Sequence, residues 1–235
     1  MAKSKKKKKS ILFRVLIFIL SPFSQQVRYL MLKLMKRFRK PDDGRPIIAA
    51  SDHILGEILL PSIFATFKSD KFRELANFKK LPVAEHDRIF NELEVAGVCL
   101  AVFYLAAIKS MRKLEDYHFW QNVEEHLPGQ LQRMLIGYGV DGSNAKLMKE
   151  LIDMRRKEYE ELSEISWDMT EEQNPEFRTL PPQMKGFASK MQAAAIGTAD
   201  HIRRGKIKKG DPLIKYLIYW FLDMRRKMEK FVKNL

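Results

Sequence analysis

A chain of 235 residues with one cysteine cannot be held by an internal disulfide. Cys99 lies inside the apolar run Val95 to Ile108, which marks it as a buried thiol and points to a reducing compartment. A glycine-rich phosphate loop is missing, as are a cysteine-based metal motif and a nucleophile elbow. No alternating run of convincing length suggests a strand. Apolar runs of about 20 residues, the length that spans a bilayer as helix, are also missing: Ile11 to Phe23 is interrupted by Arg14 and followed at once by Gln25, Gln26 and Arg28. A cleaved secretory signal fits poorly, because Arg14 breaks its apolar part and Pro22 stands where cleavage would need small residues.

What is present is positive charge, and it is unevenly placed. The chain carries a net +14. Residues 1–45 hold 14 Lys and Arg against Asp42 and Asp43, a balance of +12, whereas residues 46–235 hold 29 basic and 27 acidic side chains, a balance of +2. Basicity therefore belongs to a tail, the pattern of an electrostatic tether. The turn-forming stretch Pro41-Asp-Asp-Gly-Arg-Pro46 ends that region. Two parts are expected: an anchor and linker over 1–45, and a single helical domain over 46–235.

Within the anchor, Val27, Leu30, Met31, Leu34, Met35 and Phe38 repeat at helical spacing, and Arg28, Lys33, Lys36, Arg37 and Lys40 fill the remaining faces. Such a helix lies in a bilayer interface, with its cations toward lipid phosphates. The run Lys5, Lys6, Lys7, Lys8 and Lys9, with Arg14 beyond it, adds ~1 kcal/mol per cation held near an anionic leaflet. Pro22 bends the chain between the two apolar pieces. The pattern predicts a peripheral or monotopic protein on the cytoplasmic face of a membrane. A competing reading packs both apolar pieces, Ile11 to Leu20 and Val27 to Phe38, onto the protein's own domain and leaves only the lysine tail free.

Helix signals dominate the rest. Ser51 or Asp52 is placed to cap a helix that Pro61 kinks or breaks, Ser69 caps a short piece to Phe78, and Pro82 opens a long helix through Val95 to Ile108. That uncharged run of fourteen is short for a bilayer and is expected to be buried in a bundle. Breaks are expected at Pro128-Gly129 and at Gly137 to Gly142, followed by a helix to about Ile165 that Asp141, Ser143 or Asn144 is placed to cap. A loop over Ser166 to Pro182 then precedes helices at Gln183 to Arg204 and Asp211 to Asn234. The fold class is all-α, a helical bundle or orthogonal helical array with a basic amphipathic N-terminal extension. The hexad Ile152-Asp-Met-Arg-Arg-Lys157 recurs as Leu222-Asp-Met-Arg-Arg-Lys227, which raises a duplication as one reading and chance as another.

Candidate chemistry is thin. Glu115 and His118 have the Glu-x-x-His spacing of di-iron bundles, but no second such pair accompanies them. Glu92, Glu124, Glu125 and His126 are the residues left to complete an irregular metal site. Arg155, Arg156, Arg203, Arg204, Arg225 and Arg226 form pairs whose guanidinium forks suit phosphate oxygens. No cofactor is implied. These features favour a non-catalytic helical protein that recruits or scaffolds a protein partner at an anionic membrane surface. A basic-tailed component of a nucleic-acid complex and a membrane-associated enzyme with a carboxylate/His metal site are the alternatives.

Overall fold

The computed structural model describes residues 44–173, 179–208 and 210–235, without the side chains of 114–115 and 166–173. Among the described residues there are seven helices and no strand. They are α1 (Arg45–Lys68), α2 (Asp70–Leu75), α3 (Val83–Lys109), α4 (Leu114–Gly137), α5 (Gly142–Gln173), α6 (Pro182–Arg203) and α7 (Pro212–Asn234). Residues Ile47–Lys233 form one compact unit. The class is an all-α helical array, as the periodicity predicts.

Helix α3 is the core of that unit. It packs against α1, α4, α5 and α6, and seventeen of its residues are buried, with Val95, Ala96, Cys99, Leu100, Ala101 and Leu105 fully covered. An apolar surface on every side of a helix is stable in water only when neighbours cover every side. Burial also pushes the Cys99 thiol pKa far up, and its Sγ–H donates to the Ile152 carbonyl oxygen at 3.7 Å. The thiol is structural rather than reactive.

Where α5 crosses α6, Gly197 lets the backbones close: a Cβ there would lie 2.5 Å from Tyr159 Cε1. The Tyr159 hydroxyl shares a 3.1 Å hydrogen bond with Thr198 Oγ1 beside it. Helix α7 joins the core through side chains. Trp220 Nε1–H donates to Ser62 Oγ at 3.0 Å, Phe231 stacks on His53 at 4.3 Å, and Tyr216 meets Phe72 at 5.8 Å.

Several local expectations give way to packing. Helix α1 starts at Arg45, ahead of Ser51, whose buried hydroxyl donates to the Ile47 carbonyl oxygen instead of capping. Pro61 does not end α1. A π-helical stretch, Ile54–Leu59, precedes it, and Leu60 N–H donates five residues back to Leu55 O; the wider turn takes up the crowding a proline ring imposes. Pro128 and Gly129 lie inside α4 rather than breaking it. Trp120, Val123, Leu127 and Leu131 are all buried on either side, and that burial outweighs the local preference. Helix α5 continues past Ile165 to Gln173 through good helix formers such as Met169, Glu171 and Glu172, so the following loop is shorter than expected. Elsewhere the caps are as read. Ser69 Oγ accepts from Phe72 N–H, and Asp141 Oδ2 accepts from Ser143 N–H at 3.0 Å.

Candidate functional site: a cationic helix face and a self-neutralised cleft

Helix α7 sorts its residues sharply. Leu213, Leu217, Trp220, Phe221, Met224, Met228, Phe231 and Val232 are buried, while Lys215, Tyr219, Asp223, Arg226, Lys227, Lys230 and Lys233 are exposed. Two of the exposed cations are engaged, Lys227 with Asp223 and Lys233 with Glu229, each at 2.7 Å. Lys215, Arg226 and Lys230 meet no carboxylate among the described residues. At 100° per residue these three and Tyr219 fall within roughly 60° of one another, along ~22 Å of helix. Tyr219 is 62% exposed; a phenol of that kind sits well at a boundary between apolar and wet surroundings.

The arginine pairs do not form one anion site. Arg155 Nη2 lies 3.0 Å from Glu92 and its Nη1 3.1 Å from Glu158. Arg204 holds Glu85 in a two-pronged pair, Arg203 approaches Asp211 at 3.8 Å, and Arg225 meets Glu229 at 3.0 Å. Arg156 is half-buried, and Arg226 is on the exposed α7 face. Only Arg226 of the six stands open to solvent with no carboxylate among the described residues.

Arg155 and Arg204 line a shallow cleft of about 410 Å³ with Arg88, Glu92, Glu158, Asp200, His201 and Lys206. Its charges are mutually satisfied. His201 Nε2 lies 2.9 Å from Glu158 and Lys206 lies 3.0 Å from Asp200. Arg88 donates to the carbonyl oxygens of His201 (2.7 Å) and Ile202 (3.0 Å), sealing the C-terminal end of α6 where the helix dipole favours a cation. The Arg204 and Arg88 guanidiniums hold the Glu85 carboxyl down at about 2. The cleft ties α3, α5 and α6 together, and each of its cations already meets a carboxylate or carbonyl oxygen of the protein. Arg88, Glu85, Glu158 and His201 escaped the sequence reading because their partners lie far away in the chain; only the i, i+3 pair Glu85–Arg88 was visible locally.

The metal candidates separate as well. His118 is exposed, its ring edge-on to Tyr117, and the Glu115 side chain is outside the described residues. Glu92 is committed to Arg155, Glu124 lies 2.7 Å from Lys109, and His126 contacts Arg133. Among the described residues no three His, Cys, Asp or Glu side chains converge to hold a metal ion. Lys5 to Lys9, Arg14, Arg28, Leu30, Met31, Lys33, Leu34, Lys36, Arg37 and Phe38 lie outside the described residues.

By length and composition two helices could cross a membrane, α1 and α3, although 50% and 83% of their apolar windows are buried inside the fold. The chain matches no protein-family model, and no curated protein or solved structure is significantly similar to it.

Proposed function

We propose that the protein is a non-catalytic, membrane-peripheral helical protein that holds or recruits a protein partner at an anionic membrane surface, on the cytoplasmic face. The observation that carries this reading is the segregation of charge: +12 over residues 1–45 beside a nearly neutral remainder. Polybasic attraction and insertion of an amphipathic stripe together supply the two signals that stable attachment requires. The open cations Lys215, Arg226 and Lys230 on α7, with Tyr219 between them, support a second contact with lipid phosphates.

The test is flotation of the full-length chain with phosphatidylserine vesicles and with neutral phosphatidylcholine vesicles. Binding is expected for the anionic vesicles. Replacing Lys5 to Lys9 by Gln weakens it at low salt and changes little at 1 M, where the Debye length is ~3 Å. Leu30→Glu with Leu34→Glu removes binding at both, because apolar burial is not screened. A full-length chain that stays in the soluble fraction at low salt ends the proposal. So does a chain that ignores vesicles but binds RNA or DNA with a steep salt dependence.

A further inference from the structure

Helix α5 carries a second outward face of different character. Leu147, Met154 and Ile165 are 60%, 56% and 79% exposed, and their spacing of seven and eleven residues puts them on one line along the helix. Beside that line run Lys146, Glu150, Lys157 and Glu161, all largely exposed. Within the helix they pair loosely, Lys146 with Glu150 at 3.5 Å and Lys157 with Glu161 at 3.9 Å. Exposed pairs of this kind contribute little and exchange partners readily.

The order of these charges is self-complementary. An antiparallel copy related by a two-fold axis between Asp153 and Met154 sets Lys146 opposite Glu161 and Glu150 opposite Lys157, twice over by symmetry. The same axis brings the two Met154 side chains together and leaves Leu147 of each copy ~8 Å along the helix from Ile165 of the other. An anionic membrane is a poor occupant, because Glu150, Glu161 and Glu164 are exposed on or beside this face. We propose that the exposed α5 face docks a second copy of this chain, antiparallel, across a two-fold axis beside Met154. Isologous contacts of this form are the commonest way a chain pairs with itself. One helix face is narrower than a standard interface, so the dimer is weak, in the micromolar range.

Sedimentation of the full-length protein at roughly 100 μM reads the outcome. The wild-type chain is expected to dimerise. Glu150→Lys with Glu161→Lys, and separately Lys146→Glu with Lys157→Glu, each give the face a single sign and weaken dimerisation at least about tenfold; mixing the two variants restores a dimer. Under mild oxidation Met154→Cys crosslinks to its own copy. Leu147→Cys does not, since the two copies of that position stand ~20 Å apart along the helices. Native Cys99 is buried and does not compete. A wild-type chain that is monomeric at this concentration overturns the proposal. Charge variants that still dimerise alone, a mixture that stays monomeric, or crosslinking at 147 in place of 154 overturns it equally.

Discussion

The two hexads, Ile152-Asp-Met-Arg-Arg-Lys157 in α5 and Leu222-Asp-Met-Arg-Arg-Lys227 in α7, agree in five of six residues and are turned in opposite directions. Met154 is 56% exposed while Met224 is fully buried. Asp223 reaches forward to Lys227 at 2.7 Å, whereas Asp153 reaches back to Lys149 at 2.8 Å. The flanking residues decide the turn. Ala145, Ile152 and Tyr159 set the buried side of α5, and Leu213, Leu217, Phe221 and Phe231 set that of α7. Both helices begin on an aspartate that accepts a backbone N–H two residues on, yet the matching Leu147 and Leu217 are 60% and 0% exposed. Matching residues in opposite environments give no structural support to a duplication: a hexad does not determine its own face, and the surrounding heptads do.

The contrast is most easily broken at the methionines. Met224→Glu places a carboxylate in a fully covered site and costs about 4 kcal/mol, read as a loss of thermal stability. Met154→Glu changes stability by less than about 0.5 kcal/mol. Equal effects would mean that the two hexads face the same way. Next come the arginines. Arg155→Ala leaves Glu92, only 7% exposed, without its cation and costs about 3 kcal/mol by denaturant titration. Arg225→Ala breaks a half-exposed i, i+4 pair with Glu229 and costs about 0.5 kcal/mol.

A pH-dependent effect sharpens the same point on α3, where Glu94 lies two residues beyond Glu92. Glu94 is 5% exposed, has no cation partner among the described residues, and burial raises its pKa to about 7. A carboxyl whose folded pKa exceeds its unfolded value near 4.5 binds a proton on folding. Stability is therefore highest below about pH 4.5 for this group and falls as pH rises toward 7. Glu94→Gln should stabilise the chain by about 2 kcal/mol at pH 8 and change little at pH 4. Stability curves with the same pH slope for variant and wild type would show that Glu94 ionises normally.

Local signals were legible from the sequence to the degree that their physics is local. Ser69, Pro82, Asp141 and Pro212 each satisfy or remove a donor within one turn, so four helix starts follow from a few residues. The burial of Val95 to Ile108 was legible from its uncharged length. Pro128 was misread as a stop, and at Pro61 a kink could not be told from a stop, because the cost of each proline is local and its compensation is tertiary. The cations were legible as residues but their engagements were not. Nothing near Arg155 announces Glu92, sixty-three positions earlier, nor does anything near Arg88 announce the end of α6.

Helix α3 is covered largely by helices that come after it in the chain, α4, α5 and α6. A ribosome must therefore add roughly a hundred residues beyond Lys109 before Arg203 exists and the cover is complete, about 5–20 s at ordinary rates of synthesis. During that interval residues 83–109, apolar and long enough by composition to cross a bilayer, lack most of the cover they have in the finished fold. The stretch most deeply hidden in the finished fold is thus one whose cover is made only after it.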